Sequence, residues 1–162
     1  MNKVSLRKLK SADEKYFAKW WRNKNLLRLT SGILEPITNQ ETTQYFLAML
    51  ASKTDYHFMI MLDKETIGHI SLIKKSRGWH EIQIIIGKKQ YWGKGYGQKA
   101  IRILISKAKK LGISKIYLEV RPTNIRAIHA YKQCGFQGAK TIFYPKNKFL
   151  PRTLRMELSP AF

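Results

Sequence analysis

The stretch QYWGKGYGQKA, residues 90–100, places glycines at 93, 95 and 97 just where an apolar strand pattern gives way to a helical one. Glycine is a poor helix former, so three of them at a helix start need a reason. Bare backbone there lets an anion approach closely. The unpaired N–H groups of a first helical turn point outward, and the helix dipole adds partial positive charge. Lys88, Lys89, Lys94, Lys99 and Arg102 reinforce that field. The chemistry on offer is a cradle for a pyrophosphate, over residues 93 to 98. Two common cradles fail on spacing. A dinucleotide fingerprint needs its third glycine where Gln98 stands, and a P-loop needs a hydroxyl residue where Gly95 stands.

The elements that must hold this turn follow from periodicity. Residues 81–87, EIQIIIG, read as the strand before it, and apolar residues at 101, 104, 105, 108 and 111 give the helix after it, stopped by Gly112. Upstream, a short strand at NKVSLRKL is followed by two predicted helices. One is opened by a capping box at SADE, with Ser11 and Glu14, and carries Phe17, Trp20 and Trp21; the other is opened by TNQE at 38–41. YHFMIML and TIGHISLIKK form a hairpin around 63–65. Downstream, KIYLEV at 115–120 is a strand, Ile125 to Cys134 a short helix ended by Gly135, and TLRMEL at 153–158 a last strand. The order β-α-α-β-β-β-α-β-α-β predicts an α+β fold around one mixed sheet, a single domain over 1–162.

Composition excludes several classes. One cysteine, Cys134, precludes a disulfide framework and fits a reducing compartment. No apolar run reaches the roughly 18 residues of a membrane span, and the polar N-terminus lacks a signal peptide's apolar core, so the expected location is cytoplasmic. His57, His69, His80 and His129 lack metal-ligand spacing, and no metal is expected. The formal charge is +21, from 31 Lys+Arg against 10 Asp+Glu. It implies attraction to polyanions and leaves open a rival reading, a basic RNA- or ribosome-associated binding module. A monomer or homodimer is expected.

WGKGYG (92–97) and NIRAIHAYKQCGF (124–136) together resemble the GCN5-related N-acetyltransferases, with the ribosomal-protein and antibiotic branch as the nearest likeness. The match falls on Gly95 and Gly97, then on Asn124, Ala127, Tyr131, Gly135 and Phe136. The resemblance implies one domain of that fold, with a mixed central sheet flanked by helices and acetyl-CoA as donor. It implies cofactor contacts at Trp92, Gly93, Lys94, Gly95, Tyr96, Gly97, Gln98, Asn124, Ala127 and Tyr131. Trp92 departs from the family's Arg or Gln and cannot grip phosphate as Arg does, so that grip falls to backbone N–H groups and lysines. The family also implies that strand 81–87 parts from its neighbour and bonds the pantetheine arm through the main chain, at Ile85, Ile86 and Gly87.

Acetyl transfer needs a neutral amine, a stabilised oxyanion and a proton for the leaving thiolate. An amine of pKa about 10.4 is only about 0.1% neutral near pH 7.4, a penalty of roughly 4 kcal/mol, which a general base must offset. Glu119 is the favoured base, twelve residues before Tyr131, a separation the resemblance supports; Glu81 is second. Tyr131, a phenol protonated at neutral pH, is the expected acid. Direct transfer in a ternary complex is expected, to a protein N-terminus, an amino sugar or an antibiotic. The high positive charge disfavours a cationic acceptor unless carboxylates gather at its pocket.

Overall fold

The computed structural model describes residues 2–30 and 37–158. Seven strands form one sheet in the order β1-β2-β3-β4-β5-β7-β6, where β1 is Val4–Lys8, β2 Tyr56–Leu62, β3 Glu65–Lys74, β4 Trp79–Ile86, β5 Lys115–Val120, β6 Phe136–Phe143 and β7 Arg152–Leu158. Every pairing is antiparallel except β4 with β5, which the helix α4 (Tyr96–Lys110) connects. That pairing is short. Trp79, His80 and Glu81 pair with Lys115, Ile116 and Tyr117, and beyond Glu81 the two strands part. The β3–β4 register is unbroken from Gly68↔Ile86 to Lys74↔His80, so the opening comes from β4 leaving β5 and not from a bulge in β4.

α4 owes its place to its apolar stripe. Ala100, Ile101, Leu104, Ile105 and Ala108 are buried against Ile60, Ile70, Leu72, Ile82 and Ile116 of the sheet. Its C-terminus closes with Gly112 at φ 77°, where Ile113 N–H reaches the Ala108 carbonyl at 2.9 Å and Gly112 N–H that of Lys109 at 3.0 Å. The opposite face of the sheet is covered by α1 (Glu14–Trp20), α2 (Lys24–Thr30) and α3 (Asn39–Ala51), through a second core of Phe17, Trp20, Leu26, Phe46, Met59 and Ile85. α5 (Ile125–Gln133) packs beside α4.

The capping box at Thr38 and Glu41 forms as expected, with Glu41 N–H donating to Thr38 Oγ1 at 3.1 Å and Thr38 N–H to Glu41 Oε1 at 3.2 Å. The box expected at Ser11 and Glu14 does not form. Asp13 takes the role instead, accepting from Lys10 N–H at 2.8 Å and from both terminal nitrogens of Arg7 at 2.7 and 2.8 Å. Burial opposes its ionisation, but the Arg7 hydrogen bonds prevail and hold the carboxyl below its usual range. Two elements escaped the sequence reading, α2 and β6. β6 is an edge strand whose middle residues are exposed, so no alternation marks it.

Candidate functional site

Two cavities meet where β4 leaves β5. The smaller, about 310 Å³, is lined by Ile84, Ile85 and Ile86 of β4, by Trp92, Gly93, Gly95, Tyr96, Gly97 and Gln98 of the turn, and by Arg126, Ala127, His129 and Tyr131 of α5. The larger, about 810 Å³, lies over the sheet face beside α3 and is lined among others by Tyr45, Asp55, His57, His69, Glu81, Gln83, Glu119, Asn124 and Tyr144. Ile84, Ile85 and Tyr131 line both. The expected acid therefore stands at their junction.

The turn leaves backbone N–H groups exposed at a helix start. Gly93 and Gly95 have φ of 72° and 82°, a left-handed conformation that disfavours other residues. Gly95 is the N-cap of α4 without a side-chain cap, and Lys99 N–H is the first to bond back to it, at 3.1 Å. The N–H groups of Tyr96, Gly97 and Gln98 are left facing out of the helix start. The cation beside them is one the sequence reading missed. Arg126 reaches from α5 to within 3.6 Å of where a Cβ on Gly93 would stand, and its guanidinium lies over the Trp92 ring at 5.9 Å. Its only sequence mark is its place two residues after Asn124. The lysines fit less well: Lys94 is exposed outside the lining, and Lys88 is paired with Glu65. Tyr91 also donates to Glu65, which pins the turn to the start of β3.

Three expected contacts sit differently. Gly87 does not line the cavity; its N–H donates to Ile67 O at 2.8 Å, and a Cβ there would fall 1.9 Å from Trp20 Nε1. It is glycine because an indole packs against it. Since antiparallel pairing alternates, the Gly87 bond also turns the main chain of Ile85 toward β3, and that of Ile84 and Ile86 toward the opening. The Ile86 carbonyl is taken by the Trp92 indole N–H at 2.8 Å. Ile84 N–H and C=O and Ile86 N–H remain aimed at the gap. Asn124 lines the larger cavity, not the smaller, and caps α5 by accepting from Ala127 N–H at 3.2 Å.

The carboxylates differ in how they are held. Glu81 has both oxygens engaged, Oε1 by Gln83 at 3.2 Å and Oε2 by Tyr117 at 3.1 Å and Lys75 at 3.4 Å. Glu119 accepts from Tyr144 and Thr153 on Oε1 alone, so Oε2 is without a partner among the described residues. Burial, then the Glu119 hydrogen bond, pushes the Tyr144 phenol up to about 12, so it stays a donor. The Tyr131 hydroxyl has no partner among the described residues, and burial followed by Cys134 pushes it up to about 12. Cys134 packs against the core as a small side chain, its thiol also pushed up by burial. Asn23 caps α2 by accepting from Leu26 N–H at 3.2 Å, and neither it nor Arg22 lines the larger cavity; Trp21 does.

Among the described residues, Asp55, Glu81 and Glu119 line the larger cavity with Arg121 as the one Lys or Arg in its lining, while Lys75 bridges Glu81 at 3.4 Å, in a chain of charge +21. The condition that disfavoured a cationic acceptor is removed. Among the described residues no helix is long and apolar enough to cross a membrane.

Comparison with known proteins bears on the same site. Residues 3–137 match the family model of the acetyltransferase (GNAT) domain. The chain is 25% identical over 156 residues to an aminoglycoside N(6')-acetyltransferase of Klebsiella pneumoniae, covering 88% of this chain and 78% of that protein. It is 28% identical over 140 residues to a spermidine N(1)-acetyltransferase of Vibrio cholerae, covering 83% and 79%. In fold it is similar to a Vibrio cholerae spermidine N-acetyltransferase solved with CoA and spermine (TM-score 0.82, 24% identity, 96% and 94% coverage). It is also similar to the aminoglycoside acetyltransferase AAC(6')-Ib solved with coenzyme A (TM-score 0.81, 22% identity, 97% and 95% coverage).

Proposed function

The chain belongs to the GNAT acetyltransferase family, and on that basis we propose that it moves the acetyl group of acetyl-CoA to a primary amine of a polycationic small molecule. The observation that carries the acceptor class is the acidic lining of the larger cavity, Asp55, Glu81 and Glu119. A carboxylate-lined cleft favours cations over anionic sugars at short range, against the long-range field of the basic surface. The relatives named as aminoglycoside and spermidine enzymes act on amines of this class. A protein N-terminus or an anionic sugar-nucleotide fits this lining less well.

The donor's place is the smaller cavity. The N–H groups at the start of α4 and the Arg126 guanidinium suit a pyrophosphate. The main chain of Ile84 and Ile86 suits an amide-bearing arm laid along β4. At the junction the amine attacks the thioester carbonyl; the carbon–sulfur bond breaks as the carbon–nitrogen bond forms, and Tyr131 gives its proton to the departing sulfur. Glu119, through its unengaged Oε2, removes the acceptor's proton beforehand. Glu81 is the weaker assignment, since donors occupy both its oxygens.

Acetyl-CoA consumption with spermidine, an aminoglycoside, a short peptide and a sugar phosphate bearing an amine tests the acceptor class. Transfer is expected to the first two, with kcat/KM falling as salt screens the cleft. Transfer confined to the peptide or the anionic sugar overturns the reading. The base has its own test in Glu119→Gln, which keeps shape and removes charge. The variant is expected to lose orders of magnitude near neutral pH, with the deficit shrinking as pH nears the amine's own pKa, about 10. Superimposable pH–rate profiles with one acceptor would exonerate Glu119.

A further inference from the structure

The register of the central strands aligns a row of polar side chains across the sheet face beneath the larger cavity. His57 of β2 stands opposite Ser71 of β3, and Ser71 opposite Gln83 of β4. Glu81 and Tyr117 pair in parallel, so Gln83 and Glu119, each two residues further along, share the same face where β4 and β5 part. His57, Gln83 and Glu119 line the larger cavity, as do Asp55, two residues before His57, and His69 beside it. Ser71 is fully buried within this row, and its Oγ has no hydrogen-bond partner among the described residues. Ser71 lies beneath the row and does not line the cavity, so contact with a ligand falls to His57, Gln83 and Glu119.

We infer that this row is the bed of a linear polyamine, with the reacting amine at Glu119 and a distal ammonium held by Asp55 and His57. The inference deepens the acceptor reading above and rests on it. Asp55 is held ready to accept a cation. Its Oδ1 accepts from Lys74 N–H at 2.9 Å and Thr54 Oγ1 at 3.3 Å, while Oδ2 has no partner among the described residues. His57 Nδ1 and His69 Nε2 share a hydrogen bond of 3.1 Å between stacked rings. Burial holds both rings below the usual imidazole range, so neither adds positive charge where a cation must sit. The other charged groups near the rings are Asp55 itself and Asp13, already neutralised by Arg7; α1 offers His69 only the edge of Phe17. Three paired strand spacings would set β2 about 14 Å from β5, and β5 stands further off at Glu119 because it has parted from β4, so with side chains reaching inward the bed suits amines at least about 10 Å apart.

A ladder of terminal diamines of increasing length, each beside its matching monoamine, tests the bed with acetyl-CoA in excess. The expected result is a maximum of kcat/KM at a nitrogen separation of about 10 Å or more, with shorter diamines no better than their monoamines. Asp55→Asn, whose amide oxygen can keep the Lys74 bond, should lower the diamine-to-monoamine ratio about tenfold and flatten the ladder. A ladder with no maximum, or one that Asp55→Asn leaves intact, overturns the bed while leaving the acceptor class standing. If no amine is acetylated, the acceptor reading fails by itself. Calorimetry of the same ladder on CoA-saturated protein then decides the bed, since equal affinities for diamines and monoamines would refute it.

Discussion

Gly95→Asp is expected to abolish acetyl-CoA binding while the protein stays folded. The two halves of that expectation have separate causes. Gly95 is the N-cap of α4, and a Cβ there meets nothing within 4 Å, so the new side chain has room. Its φ of 82° is a conformation that Asp adopts with modest strain, on the order of 1 kcal/mol. Against that strain, Asp is a preferred N-cap, and its charge suits the positive end of the helix dipole. The fold survives. The ligand does not, because the carboxylate would accept the same first-turn N–H groups that a pyrophosphate needs and would repel it. Calorimetry with CoA on the folded variant is the measurement, with Gly95→Asn as companion. Asn has the same reach without the charge, so the gap between the two variants isolates the repulsion. Binding of the Asp variant like that of the parent would remove the pyrophosphate from residues 93–98.

The strand–turn–helix of residues 79–110 was legible in the sequence because everything defining it is local: a strand, glycines at fixed offsets and a helical stripe within about thirty residues. The caps at Thr38 and Asn124 and the stop at Gly112 were legible for the same reason. β6 was not, because an edge strand held by backbone bonds to β7 needs no apolar alternation. Arg126 was hidden differently. It belongs to α5 in sequence but to the glycine turn in space, through packing over Trp92 that no periodicity reports. The acidic lining of the larger cavity was the most deeply hidden. Asp55, Glu81 and Glu119 come from distant parts of the chain, and only the strand order β2-β3-β4-β5 and its register set them around one space. The expectation that a cationic acceptor is disfavoured unless carboxylates gather at its pocket came from summing charge over the chain. A ligand also responds to the groups that line its cleft, and here three carboxylates do.

Tyr131→Phe is expected to lower turnover by roughly 10² to 10⁴ with little change in CoA affinity. The hydroxyl has no protein partner among the described residues, so its removal orphans nothing, and the ring keeps its edge contact with Phe136 at 6.5 Å. Stability should therefore stay within about 0.5 kcal/mol of the parent, as for other substitutions that break no contact. The pH dependence discriminates further. Burial pushes the phenol up to about 12, with Cys134 adding to the shift, so Tyr131 holds its proton throughout the working range. An acid that is always loaded contributes the same factor at every pH. The ratio of parent to variant turnover should thus be flat from about pH 6 to about pH 10, well below the raised value. Loss of the base at Glu119 behaves oppositely, with a ratio that shrinks as the amine deprotonates itself. A flat, large ratio for Tyr131→Phe beside a falling one for Glu119→Gln would separate the acid from the base at a junction where both groups face one cavity. Unchanged turnover in Tyr131→Phe, with an acceptor already verified, would reduce Tyr131 to an aromatic packed against the core of α4 and the sheet.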